Sequence, residues 1–120
     1  KKLKKYLKKN GSIIIEVPHG NDFLVRNCEK FKKFSLWSEH LILHTEKSLY
    51  KFLNKSGYNK IKVKYFQRYN YLNHLHWLNN GQPNGNLILK KKYDLKIDKS
   101  YTKFLNEAKM TDTLYCIAKI

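Results

Sequence analysis

Cysteine is nearly missing from this chain: Cys28 and Cys116 stand far apart, each in apolar surroundings, in 120 residues. That excludes a disulfide framework and a cysteine-based metal site, and makes a reducing compartment, the cytoplasm, the expected location. Proline is as scarce, and the five glycines never gather into a phosphate-cradling loop. There is no nucleophile elbow and no CxxC. Long apolar runs are missing too. Nothing approaches the about 18 residues of a membrane span, and the basic first segment lacks the apolar stretch of a signal peptide, so no membrane association is expected. Acidic residues are few, nine against 25 lysines and arginines, which leaves a formal net charge of +16. Such a charge raises nucleic acid as a partner. Yet all the basic residues except Arg26 and Arg68 are lysines, and asparagine is abundant. Lysine and asparagine share AT-rich codons, so a solvated lysine surface explains the composition and nucleic acid is disfavoured.

What is present suffices for one compact domain, residues 1–120, burying about two thirds of the surface its unfolded form exposes. "KKLKKYLKKN" has the spacing of the middle or end of a helix, with Leu3, Tyr6 and Leu7 on one face, which suggests a cut product. "SIIIEVP" is an almost continuous apolar run closed by Pro18, the pattern of a strand buried on both faces. "HGNDFLVRNCEKF" has no firm periodicity and is expected to be a long loop or a loop with a short helix. Thr45 caps a helix carrying Leu49, Phe52 and Leu53 and stopped at Gly57. "KIKVKYF" alternates as a strand, "YLNHLHWLNN" reads as a short helix ending in "GQPNG", and residues 99–109 form another helix. "LYCIAKI" is a terminal strand. The route from strand through helix to strand is the usual one to two parallel strands in one sheet.

Glu39, His40 and His44 invite a metal reading because histidines four apart share a helical face. The metalloprotease motif, however, needs its glutamate directly after the first histidine, and its reversed form needs a histidine where Leu36 stands. Two ligands do not make a site, so no metal is expected. His74 and His76, two apart, do not face each other on a helix, so one is expected to look into a cleft and the other into solvent. His19 lies just past a strand end, where open sheets hold ligands. The run "KVKYFQRYNYLNHLHW" has the aromatic and basic content to stack bases. It reads more simply as a strand and a helix filling a core, with Arg68 paired to a carboxylate.

Taken together, "GSIIIEVPHG", "FKKFSLWSEHLILHTEKSLYKFLNKSGY", "YFQRYNYLNHLHWLNNGQPNG" and "MTDTLYCIAKI" resemble the C-terminal half of bacterial class I S-adenosylmethionine-dependent methyltransferases, in a group often linked with sugar or surface-polysaccharide pathways. The resemblance implies an α/β fold: a partial Rossmann-like sheet, a mixed three-stranded remnant with flanking helices and "LYCIAKI" in its centre. It implies S-adenosylmethionine as the cofactor of a full-length parent and a small or sugar-linked acceptor; the alternative is a stand-alone interaction or accessory protein that completes a donor-binding partner chain. The donor's glycine-rich loop and ribose-binding acid belong to the family's first half, so no cofactor is expected on this chain alone. His40, with Glu39, is the expected catalytic pair, because imidazole can take a hydroxyl proton near neutral pH. His19, Arg68 and His74 are the expected substrate contacts, and His44 a structural residue. Asn84 and Asn86 stand where relatives carry a glycine and a histidine, a departure that bears on the acceptor. The family's neighbouring strand is missing beside residues 12–18, so that edge is expected to pair in a homodimer or with a donor-binding half.

Overall fold

A computed structural model of the chain describes residues 2–37 and 40–120. Three strands, β1 (Ser12–Pro18), β2 (Asn59–Phe66) and β3 (Thr113–Lys119), form one sheet in the order β1-β3-β2. Both pairings are antiparallel, so β1 and β2 run in the same direction without touching, and the last strand lies between them. The sheet is open, and the expected central place of "LYCIAKI" is met.

Helix α3 (Glu46–Lys55) crosses from β1 to β2 on one face of the sheet. Its start is a capping box: the Thr45 side chain accepts from Ser48 N, and Ser48 Oγ accepts from Thr45 N at 2.9 Å. Leu49 and Leu53 fall on its inner side and pack with Tyr58, Leu114, Cys116 and Ala118, while Phe52 faces outward. The strands supply Ile13, Ile15, Val17, Ile61, Val63 and Tyr65 to the same core by simple alternation.

The opposite face of the sheet carries Ile14 opposite Ile117, and Glu16 opposite Tyr115, with Lys62 and Lys64 alongside. Ile14 is 61% exposed, so β1 is buried on one face rather than on both as its apolar run suggests. Only α3 makes extensive contact with the sheet among the described residues. The first segment is likewise not the regular helix expected. Lys2–Tyr6 is a short 3-10 turn with Leu3 and Tyr6 exposed, and Leu7 alone packs on the core.

The remaining helices gather beyond the carboxyl ends of β1 and β2. The segment expected to be mostly loop forms α1 (Phe23–Asn27) and α2 (Glu29–Ser35). These meet α4 (Tyr71–Asn80), which is followed by the short α5 (Gly85–Ile88), and α6 (Leu95–Glu107) packs on α4. Asp94 caps α6, accepting from Lys96 N and Ile97 N, which starts this helix four residues before the expected point. Leu24, Leu72, Trp77 and Leu105 bury the centre of this second layer.

The accessible surface is 8543 Å², against about 6,800 Å² for a compact monomer of this mass. The radius of gyration, 16.3 Å, likewise exceeds the about 14 Å of a compact domain of this length. The excess is apolar: among the described residues ten hydrophobic side chains are buried and twenty large ones are exposed.

Candidate functional site

A cleft of about 500 Å³ opens where β1 and β2 end and β3 begins, closed on the far side by α1, α2 and α4. That volume suits a small molecule, since ligand cavities span about 300–1,000 Å³. It lies beyond the carboxyl ends of the two parallel-running strands, the place where open α/β sheets hold ligands.

His19 follows Pro18 into the cleft and is 1% exposed. Its backbone N–H donates to Asp112 O at 2.9 Å. Its Nδ1 lies 2.9 Å from the Thr111 carbonyl oxygen, so the proton sits on Nδ1 and Nε2 carries the lone pair. Burial pushes the imidazole below its ordinary pKa; the Thr111 carbonyl and the carboxylates of Glu46 and Asp112 oppose that shift. The chain then turns at Gly20, whose N–H donates to His44 O at 2.8 Å; a Cβ there would stand 2.8 Å from Leu43 O. His44 itself holds Ser48 Oγ through Nδ1 at 3.2 Å and does not line the cleft.

Asp22 caps α1, accepting from Leu24 N through Oδ1 at 2.8 Å, and is 3% exposed. Its second carboxylate oxygen has no hydrogen-bond partner among the described residues and is not sealed from solvent. Burial, opposed by the Leu24 N–H and reinforced by the nearby Asp112 charge, raises its pKa from 3.8 to about 7. Asp112 sits in a different setting. Its carboxylate accepts from Arg68 N, Tyr69 N, Gln67 Nε2 and Thr113 Oγ1 at 2.7–3.1 Å. Desolvation still leaves its pKa raised against the lowering effect of those bonds and of the Arg68 charge. This clasp fixes the turn after β2, so that Arg68 and Tyr69 face the cleft.

Arg68 is ion-paired with Glu16, both about half exposed at the cleft edge. The cleft also has an aromatic wall. Phe31 and Phe34 of α2 pack on Trp77, each with ring centroids 5.0 Å apart, and Trp37 and Tyr69 extend the surface. Trp37 is 6.4 Å from the His40 ring, and its carbonyl accepts from His40 N.

Of the residues expected from sequence, His19, His40 and Arg68 line this one cleft, as do Asn84 and Asn86. Glu39 lies outside the described residues. His74 is 2% exposed and stands behind the lining, not on it. Its Nδ1 meets Tyr101 Oη at 2.9 Å, its Nε2 is 3.2 Å from Gln67 Nε2, and burial drives its pKa down to about 4. His76 is buried as well, so neither α4 histidine is the solvated one expected, because both sides of this helix are covered, by α1 on one and by α5 or α6 on the others.

The residues that sequence reasoning passed over are Asp22, Asp112 and the α2 aromatics. An aspartate just before "FLVRN" is a helix-start signal, and it was readable. The clasp was not, because Asp112 meets residues more than 40 positions away in sequence. Among the described residues no group of histidine, cysteine, aspartate or glutamate side chains gathers as metal ligands, and no helix is long and apolar enough to cross a membrane.

No protein-family model and no curated protein matches this chain. Among solved structures it is similar to a SAM-dependent methyltransferase from Archaeoglobus fulgidus, at 15% identity and a TM-score of 0.47, over 94% of this chain and 46% of that one. The chain thus spans about half the length of that protein. An overlap this loose supplies no residue role.

Proposed function

We propose that this chain forms the acceptor side of the cleft in an S-adenosylmethionine-dependent methyltransferase that acts on a small or sugar-linked molecule. The observation that carries the reading is the strand order: a last strand inserted antiparallel between two parallel-running strands that α3 connects. A small-molecule cleft at the carboxyl ends of those two strands supports it.

The methyl donor does not fit these residues. Its ribose needs a free acidic acceptor and its tail a glycine-bounded loop. Here Glu16 is paired with Arg68 and Asp112 already accepts from four donors; Asp22 keeps an open oxygen, but it caps α1 with no glycine-bounded loop beside it, because the glycines at 11, 20, 57, 81 and 85 form none. No step is therefore derived through the donor. The chain's own part is to seat an acceptor on the aromatic wall and to receive a proton from it. His40 remains the proposed base, with Glu39 beside it in sequence; His19 and Arg68 contact the acceptor, and His74 acts from behind by supporting Gln67. The open edge of β1 at residues 12–18 accommodates a donor-binding half or a second copy.

The test begins with the reading frame upstream of Lys1, in which a contiguous donor-binding half is expected. The protein so encoded should move a labelled methyl group from S-adenosylmethionine to a small acceptor, and His40→Ala should lower turnover while leaving the unfolding midpoint and acceptor binding in place. An unrelated upstream domain, or specific binding of S-adenosylmethionine to these 120 residues alone in calorimetry, would overturn the reading.

A further inference from the structure

Lysine is the commonest charge on this chain, yet no lysine lines the cleft. Its charged lining consists of three carboxylates, Glu16, Asp22 and Asp112, against the single guanidinium of Arg68, with two histidines. In a chain of net charge +16 the cleft is thus a locally acidic hollow.

Two of the buried side chains there are incompletely bonded. His19, 1% exposed, has its Nδ1 on Thr111 O, and its Nε2 meets no partner among the described residues. Asp22, 3% exposed, has one carboxylate oxygen on Leu24 N and the other without a partner among the described residues. Both belong to the cleft lining. Neither atom is sealed from solvent, since among the described residues His76 Nε2 alone is a fully buried side-chain polar atom without a partner; on these two cleft-lining residues the open acceptors therefore face the cleft. Both are acceptors, so what they ask for is a donor.

We propose that the cleft selects a small organic amine in its protonated form, its ammonium held by Asp22 and His19 and its apolar body laid against Trp37 and Trp77. An ammonium is a pure donor with three N–H bonds, matching two free acceptors, and an indole face attracts a cation. An anionic ligand meets the opposite: the lone guanidinium is already paired with Glu16, and the unpaired carboxylate repels it. A neutral polyol would bond to the same acceptors but gives no reason for a net negative lining. The titratable groups around Asp22 are His19 on the preceding loop, Arg26 on α1, His74 on α4, Tyr101 on α6 and Asp112 before β3. None is a lysine. An ammonium beside Asp22 also reverses the shift that burial imposes on it, because it favours the ionised carboxylate.

The inference takes the cleft to be the acceptor site proposed above, but its test needs no methyl donor. Benzylamine, benzyl alcohol and benzoate match in size and differ in charge. Each is titrated into the 15N-labelled chain while the Trp37 and Trp77 indole N–H resonances and tryptophan fluorescence are followed. Benzylamine should bind at about pH 7.5 at least about tenfold more tightly than the alcohol, and benzoate should not bind. Because the whole chain is strongly positive, bulk electrostatics favour benzoate, so an amine preference must come from the cleft. Asp22→Asn, which keeps the α1 cap, should erase the preference, and so should lowering the pH to about 5, where Asp22 is protonated. Should Asp22→Asn fail to fold, His19→Gln serves as the second variant and should weaken benzylamine while sparing the alcohol. Equal binding of the three probes, tightest binding of benzoate, or a preference that survives Asp22→Asn would overturn the proposal. Methyl transfer to a neutral acceptor together with absent amine binding refutes only this inference; amine binding in a protein without methyl transfer refutes only the methyltransferase reading.

Discussion

Replacing Asp22 by asparagine should make this protein more stable, and increasingly so as the pH rises. Asparagine caps a helix as well as aspartate does, so α1 keeps its Leu24 N–H acceptor. What changes is the proton. In the folded chain Asp22 has a pKa of about 7 instead of 3.8, chiefly through burial. The folded state therefore holds a proton that the unfolded state has released, and stability is greatest below about pH 4, falls between about pH 4 and 7, and is flat above. A shift of about three units at 1.36 kcal/mol each sets the ceiling at about 4 kcal/mol. His74, at about 4 instead of 6.5, slopes the other way: its contribution is complete above about pH 6.5 and is lost as the pH falls toward 4. The two trends overlap and largely cancel in the wild-type curve, so the wild type alone tests nothing. The difference between wild type and Asp22→Asn removes His74. Urea unfolding of both proteins from about pH 4 to 8 should show them equal at the acid end, with the variant ahead by up to about 4 kcal/mol at the alkaline end. Parallel stability curves would refute the reasoning, since they would mean that Asp22 ionises in the folded chain as readily as in the unfolded one.

Asp112→Ala leaves four donors without their carboxylate; those on the exposed backbone regain water and Gln67 Nε2 keeps Tyr69 O, while the buried Thr113 hydroxyl loses its acceptor. A loss of about 2 kcal/mol is expected, seen in thermal unfolding as a drop of about 8 °C at this chain length, and an unchanged midpoint would dismiss the clasp. Gly85→Ala places a Cβ against His76 Cβ and 2.5 Å from Leu72 O, so it should destabilise by about 1–3 kcal/mol and loosen the 83–86 loop at the cleft; a neutral result would show that α5 can shift away. The surface excess of about 1,700 Å² is of the size that permanent interfaces cover. A homodimer favoured by salt is therefore expected in sedimentation, because screening weakens the repulsion of two strongly positive chains. A strict monomer at high concentration in about 0.5 M salt would rule out self-pairing through β1.

The parts of the fold legible in the sequence are those specified by neighbours. Thr45 with Ser48 announced α3, and the lysine alternation of "KIKVKYF" announced a strand with one covered face. "SIIIEVP" misled because an apolar run records what a strand is suited to touch, not what is present to touch it: Ile14 has no layer above it among the described residues. The cleft was half legible. A histidine just past a strand end carries positional information, and His19 proved to line the cavity. His74 and Arg68 were both visible as polar residues amid aromatics, yet only the packing of α4 between α1 and α6 decides that one is enclosed and the other lines the opening. Asp112 stands in "TDTL" beside one of its donors, Thr113, but with no local sign of the other three, because Gln67, Arg68 and Tyr69 belong to a turn whose position depends on the finished sheet.

The central place of β3 has a consequence for how the molecule assembles. Neither outer strand has another partner among the described residues: Ser12 pairs with Lys119 and Pro18 with Thr113, while β2 pairs only with the same strand. Each bond between β1 and β3 therefore closes a loop of roughly a hundred residues, the most entropically demanding kind of contact and the slowest to form. A ribosome making this chain at about 5–20 residues per second releases β1 several seconds before its partner exists. During that interval "SIIIEVP" is an apolar strand with two open edges, the species most prone to pair with the wrong neighbour. Folding of the sheet is then a single late event triggered by residues 113–119, and it is there, rather than in the early helices, that a slow or aggregating step belongs.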